Sequence, residues 1–340
     1  MQIAIVDFLE KYKETLFPVV RALHEHGATA YLVGGCVRDM VLNLPLKDLD
    51  IEVHGIELPD LQNILARFGH VEEVGKKFGV LLLLGVAIDW SLPRTDSSGR
   101  KPQVTLQPQL DIKQALQRRD LTMNAMAIDL TEVICTNVST ISTKDIIDPY
   151  GGLRDIAAKQ LRAVDDAFFI QDPLRMLRVM QFIGRFAMLP VAELDELCAN
   201  MPLYDVYDDR PLARERIQAE VVKLLLQAFK PSLGFSWLIK IGRAYELFPF
   251  LENNKQTLTV VDRLAQSVRD CSTDEQMILF LTALCFNSIA EIHATFDKQV
   301  LKNCTDSQKI LKAVEILIQI LPRLKTLSNV IACKKIATQL

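Results

Sequence analysis

No Cys-x-x-Cys pair occurs among the seven cysteines of this chain, and their number is odd, so they offer neither a zinc spacing nor a disulfide framework. A reducing compartment, the cytoplasm, is the expectation. Long apolar runs are missing too: Val80 to Ile88 is the longest, far short of the ~20 residues that span a bilayer. Asp7 and Glu10 interrupt the stretch that a signal peptide would need, so neither a membrane segment nor an export signal is expected. Basic charge is not in excess. A net charge of -3 argues against a protein that coats nucleic acid nonspecifically, although it leaves room for a local basic groove. Internal repeats and low-complexity tracts are also lacking. What the chain does have is apolar content, 49% of 340 residues, enough for a large core and two or more domains.

The most informative segment runs from Gly34 to Asp50. It reads Gly34-Gly35-Cys36-Val37-Arg38-Asp39 and, after a short spacer, Asp48-Leu49-Asp50. Two glycines let a backbone turn approach phosphate oxygens, and Arg38 supplies a cationic fork beside Asp39. Tyr31-Leu32-Val33 predicts a strand, Val37 to Leu44 a short helix ended by Asn43 and Pro45, and Asp48 to Val53 a second strand. Side chains alternate across a strand, so Asp48 and Asp50 are expected on one face, where one divalent cation can bridge them. Magnesium takes only one or two protein carboxylates and fills its octahedron with water and substrate phosphates, which fits such a pair. A lone Gly-Gly or Asp-x-Asp would mean no more than a turn and solvated acids; this order of elements carries the stronger reading.

Elsewhere, apolar spacing predicts an opening helix over 7 to 26, strands at 30 to 33, 49 to 53, 80 to 92 and 125 to 135, and a helix at 58 to 68. This is an α/β domain. Residues 93 to 110, polar and proline-containing, predict a mobile loop, and beyond Asp155 amphipathic helices take over. Three further clusters carry chemistry. Arg118-Arg119-Asp120-Leu121-Thr122-Met123-Asn124-Ala125 offers guanidinium groups for phosphate and an acid and amide for a ribose hydroxyl, or else a salt-bridged helix start. Asp148-Pro149-Tyr150-Gly151-Gly152-Leu153-Arg154-Asp155 is a turn into a helix, either a plain capped turn or a hinge. Gln171-Asp172-Pro173-Leu174-Arg175-Met176-Leu177-Arg178 opens a helix with Asp172 as its cap and Asp172, Arg175 and Arg178 along one face. An acceptor beside a donor fork can match the pairing edge of cytosine or adenine; capping plus a helical ion pair is the plainer alternative.

In this order the clusters resemble the bacterial and eukaryotic class of tRNA nucleotidyltransferases, the CCA-adding enzymes, and their poly(A) polymerase relatives. Gly34 to Asp50, Arg118 to Ala125, Asp148 to Arg162 and Asp172 to Arg178 match that family's motifs, with a weaker match at Arg214-Glu215-Arg216-Ile217 and Glu220. The likeness covers residues 30 to about 250. It implies an α/β nucleotidyltransferase head with a mixed sheet over 1-147, an all-α neck and body with a nucleotide-selecting helix over 148-250, and a helical, tRNA-binding tail over 251-340. It further implies that Asp48 and Asp50 are catalytic and hold Mg²⁺, with Asp89 a third acid. Gly34, Gly35, Arg38, Asp39, Arg119, Asp120, Asn124 and Arg178 would bind the nucleotide, and Asp172 with Arg175, also nucleotide-binding, would select its base. The implied activity is template-independent addition of CCA to the 3′ end of tRNA from CTP and ATP. The alternatives are CC-only or A-only addition, poly(A) synthesis, or a non-catalytic RNA-binding homologue.

The chain departs from the family's pattern at four places. Gln171 stands where Glu is usual, Gln181 where another nucleotide-contacting Arg is usual, and Ala115 where an acid is common. Only His293 lies in the second half, so the metal-dependent His-Asp phosphohydrolase domain of some bacterial members is not expected.

Overall fold

In a computed structural model of the chain, residues 2–74, 79–96, 104–205, 210–251, 255–290 and 301–320 are described. The chain divides into two compact units, residues 1–172 and 173–340.

The first unit is built on a six-stranded mixed sheet. Thr29–Val33 pairs antiparallel with both Leu49–His54 and Ala127–Asp129, and Leu49–His54 pairs parallel with Ile88–Ser91. Val80–Leu83 and then Val71–Val74 extend that side antiparallel. Alternation in Leu49–His54 decides which face is core: Leu49, Ile51 and Val53 are fully buried, whereas Asp50 between them is exposed. The Lys13–Glu25 helix packs against Thr29–Val33, burying Leu16, Val19, Val20 and Leu23. At ~25 cal/mol per Å² of apolar surface, such burial is the main favourable contribution to the unit's stability.

Several boundaries differ from expectation. The opening helix is two, Ile5–Leu9 and Lys13–Glu25, joined by a 3₁₀ turn over Glu10–Tyr12. That turn brings Tyr12 inside, where its hydroxyl donates to the Lys47 carbonyl at 2.9 Å. The strand expected over 80 to 92 is a hairpin broken at Gly85, whose φ of 87° suits a residue without Cβ. The strand expected over 125 to 135 covers only Ala127–Asp129. There the Asp129 carboxylate accepts from the Glu132 N–H at 2.9 Å and starts the Leu130–Cys135 helix. Arg94–Asp96 and Val104–Leu106 form an antiparallel ribbon in what was expected to be loop, and residues 97–103 lie outside the described residues. The helix expected from Val37 to Leu44 runs Gly35–Val41. Residues 148–172 fold with the head, because the Thr122 N–H donates to Arg162 O at 3.0 Å, the Val164 N–H to Asp120 O at 3.2 Å, and the Thr122 hydroxyl to the buried Asp155 at 2.8 Å.

The second unit is helical, as expected: Leu174–Phe186, Ala192–Asn200, Arg214–Gln227, Pro231–Lys240, Lys255–Ser267, Thr273–Ala290 and Gln308–Ile320 are its principal helices. Leu174–Phe186 packs against Arg214–Gln227 and Pro231–Lys240. Close approach depends on Gly234, where a Cβ would stand 2.5 Å from the Met180 carbonyl oxygen. Gly234→Ala therefore sets a helix-propensity gain of ~1 kcal/mol against an overpacking cost of about 1–3 kcal/mol. Backbone oxygen cannot swing aside, so the cost should win, and a thermal melt should show Tm lowered by several degrees. No described helix is long and apolar enough to cross a membrane.

Candidate functional site in the head

The Thr29–Val33 strand runs into Gly34, whose φ of 75° and ψ of -130° lie where only glycine is comfortable, and the Gly35–Val41 helix starts at once. The Gly34 N–H donates to Met126 O at 3.1 Å, anchoring the turn to the Ala127 side of the sheet. Arg119 lies directly on this turn: a Cβ on Gly34 would collide with its Nη1. Arg38 lies over Gly35, its Nη2 3.4 Å from where that Cβ would be. The glycine pair is thus a floor for two guanidinium groups.

Arg38 is buried and braced. It donates from Nε to Asp39 Oδ1 at 2.8 Å and from Nη1 to Asn124 Oδ1 at 2.6 Å, while Asn124 Nδ2 donates to Asp120 Oδ1 at 3.0 Å. Asp120 and Asn124, both buried, therefore hold the Arg38 fork from behind. Arg119 is different, since its shielded Nε has no hydrogen-bond partner among the described residues. Burial pulls its pKa below the usual arginine value, and the charges of Glu52 and Asp50 oppose that pull. A partly desolvated guanidinium with an unpartnered Nε on a glycine turn suits an anion.

Asp48 and Asp50 are both exposed with Leu49 buried between them, so they share the solvent face of the strand; Asp48 itself immediately precedes Leu49–His54. Asp89 is exposed and in register with Asp50 across the parallel pair. Burial, then the Asp48 charge, raises the pKa of Asp89. Cys36 stitches helix to strand: its thiol donates to Asp48 O at 3.3 Å and its sulfur accepts from the Asp50 N–H at 3.3 Å. Burial and the nearby carboxylates push that thiol up to about 12. Its role is to place the backbone of the two aspartates.

Sequence reasoning missed Glu52 and His54, two and four residues beyond Asp50. Glu52 is 1% exposed, with Oε1 3.1 Å from His54 Nε2 and Oε2 3.2 Å from Arg118 Nη2. Burial pushes the Glu52 carboxyl up, but the His54 hydrogen bond and the charges of Arg119 and Arg118 outweigh it and hold the group at about 2. The alternation Asp48, Asp50, Glu52, His54 was the signal that could have found them.

The second unit carries Arg175 and Arg178 early in the Leu174–Phe186 helix, both partly exposed, and Asp172 is the last residue of the first unit. The assigned N-cap position is Pro173, one residue after Asp172. Arg178 lies over the Phe182 ring at 5.6 Å. Gln181 is buried and accepts from Arg185 Nη1 at 3.2 Å. The segment at Asp148 is a capped turn: its carboxylate accepts from the N–H groups of Gly152 and Leu153 at 2.7 and 2.9 Å.

A mixed sheet with paired acids beside a glycine turn, followed in the chain by helices, defines the class: a nucleotidyltransferase head with a helical C-terminal unit. Residues 30–162 match the Poly A polymerase head domain. The chain is 30% identical over 330 residues to the CCA-adding enzyme of Blochmanniella floridana, an alignment that covers 90% of this chain and 72% of the relative. It is 36% identical over 226 residues to the multifunctional CCA protein of Paracidovorax citrulli, covering 65% of this chain and 50% of that one. Among solved structures, the Bacillus stearothermophilus CCA-adding enzyme in complex with CTP superposes with a TM-score of 0.70 at 25% identity, covering 92% of this chain and 71% of that one. The chain belongs to the CCA-adding enzyme family. It spans about half the length of the multifunctional CCA proteins that it matches.

Proposed function

We propose that this protein adds C, C and A to the 3′ end of tRNA from CTP and ATP, by nucleotidyl transfer without a nucleic-acid template. The observation that carries this reading is the placement of Asp48, Asp50 and Asp89 together on an exposed sheet face, beside a Gly34–Gly35 turn covered by Arg119 and Arg38. The family's head domain works with a divalent cation, and the donor set here, oxygen-only and partly solvated, fits one. Among the described residues no three acidic, His or Cys side chains close into a metal cage by themselves, so the cation would complete its shell with phosphate and water oxygens. We assign that cation as Mg²⁺, held by Asp48 and Asp50, with Asp89 as the third acid. When bound, it neutralises charge on the α-phosphate and on the leaving pyrophosphate and lowers the pKa of the attacking hydroxyl.

The chain's own residues do the rest in this reading. Arg119, desolvated on the glycine turn, binds triphosphate oxygens, and the turn itself lets the backbone come close. Asp39, Asn124 and Asp120 fix the Arg38 fork, so that its orientation is settled before the nucleotide arrives. Asp172 with Arg175 reads the base, the carboxylate accepting from an exocyclic amine and the guanidinium donating to ring acceptors, while Arg178 contacts the nucleotide. Residues 1-147 would serve as catalytic head, 148-250 as neck and body, of which 148-172 fold within the first unit, and 251-340 as a tail that binds tRNA. The cytoplasm, where tRNA matures, is the proposed site of action.

Incubation of the protein with tRNA lacking its CCA end, labelled CTP and ATP, and Mg²⁺ tests this. Two C residues followed by one A are expected, and no incorporation would overturn the enzyme assignment. Incorporation from CTP alone or ATP alone would restrict the enzyme to CC or A addition. ATP incorporation into RNA at large would favour poly(A) synthesis instead. A purely RNA-binding role suits the site poorly, because exposed carboxylates beside RNA phosphates repel the ligand unless a cation lies between them.

A further inference from the structure

Glu52 is a carboxylate almost wholly withdrawn from water, on the same strand face as the exposed Asp50 and two residues beyond it. Burying an ionised acid is costly unless it is paired, and Glu52 is paired twice, with His54 through one oxygen and Arg118 through the other. His54 in turn has Nδ1 2.8 Å from the Leu110 carbonyl oxygen, so each ring nitrogen faces an oxygen. The Tyr31 and His54 rings pack nearly perpendicular, their centroids 5.0 Å apart. Next door, the Gly55 N–H donates to Pro108 O at 2.8 Å. A continuous chain thus runs from the segment that follows the Val104–Leu106 strand, through His54 and Glu52, to Arg118, with Arg119 adjacent in sequence and under the influence of the Glu52 charge.

This arrangement answers a problem set by the site. Guanidinium groups that are to bind phosphate stand close to carboxylates that are to bind a cation, and Arg119 already feels Asp50. Direct pairing of Arg119 with Asp50 would disable both. The buried carboxylate of Glu52, 3.2 Å from Arg118 Nη2, offers a partner that no substrate displaces. We propose that Glu52, held by His54, is a positioning residue that fixes Arg118, and through it the adjacent Arg119, in orientation for the triphosphate. The proposal rests on the nucleotidyl-transfer reading above, and it adds a function for two side chains that the reading does not use.

Glu52→Gln keeps the shape of the side chain and removes its charge. In the full-length protein with CTP and Mg²⁺ it is expected to raise the CTP KM about tenfold, with a smaller change in kcat and an unchanged KM for tRNA. His54→Gln, which leaves the carboxylate in place but cuts its tether, is expected to raise the CTP KM about threefold; it also serves should Glu52→Gln fail to fold. Combining Glu52→Gln with Arg118→Gln should do no more harm than the worse single change, since both act through one contact. A folded Glu52→Gln or His54→Gln protein that melts earlier yet keeps the CTP KM within twofold of wild type would reduce the network to a structural brace and overturn the proposal. Wild-type protein that neither binds CTP nor incorporates it would refute the functional reading and this inference together; active wild type with unaltered variants refutes this inference alone.

Discussion

Replacing Asp48 or Asp50 by asparagine is expected to lower CMP incorporation into tRNA lacking its CCA end by a factor of ~10³ or more, because few effects lower the barrier to phosphoryl transfer as much as charge neutralisation by a bound cation. Stability should hardly change. Both side chains are exposed, and Cys36 bonds to their backbone rather than to their carboxylates. Exposed substitutions of this kind cost at most about 1 kcal/mol, which a melting curve would report as a shift of ~2–4 °C in a domain of this size. The two readouts separate chemistry from folding. An asparagine variant that keeps a tenth of wild-type activity would remove the acids from the mechanism. Asp89→Asn offers an internal comparison, since Asp89 reaches the same face from a different strand.

Gly34→Ala is expected to have the second-largest effect, and its cause is conformational rather than electrostatic. Alanine at φ 75°, ψ -130° is strained by about 1–3 kcal/mol, and its methyl group would occupy the place of the Arg119 guanidinium. The atom in the way is the end of a flexible side chain, so the protein should still fold with Arg119 displaced. CTP affinity should then fall by ~10-fold or more, measured by calorimetry with a nonhydrolysable analogue. Gly35→Ala is the contrast. Gly35 is already helical, and its Cβ would sit 3.4 Å from Arg38 Nη2, an ordinary contact, so its effect should stay within about 1 kcal/mol. Equal losses at the two glycines would mean that the turn acts only as a hinge in the backbone, without regard to Arg119.

Local signals in the chain were strong wherever one element carried the information. Gly34-Gly35 at a strand-to-helix turn, Asp48 and Asp50 on one strand face, and the change from mixed to helical pattern after Asp155 all follow from backbone freedom and side-chain period, which act over a few residues. The same locality explains the misjudged stretches. Ala127 to Cys135 is apolar enough for a strand, and a single cap at Asp129 turns most of it into helix. Gly85 divides Val80 to Ser91 for the same kind of reason, one residue outweighing a run of apolar neighbours.

By itself the sequence determined which residues could do this chemistry: an acid pair, a glycine turn, arginines, and helices to follow. Only the tertiary structure decided how they share the work. It set Asp89 in register with Asp50, sealed Arg38 behind Asp39 and Asn124, laid Arg119 on Gly34, and buried Glu52 between His54 and Arg118. Strand register and burial depend on pairing between segments tens of residues apart, and no period or spacing along the chain encodes which partner a buried charge will find.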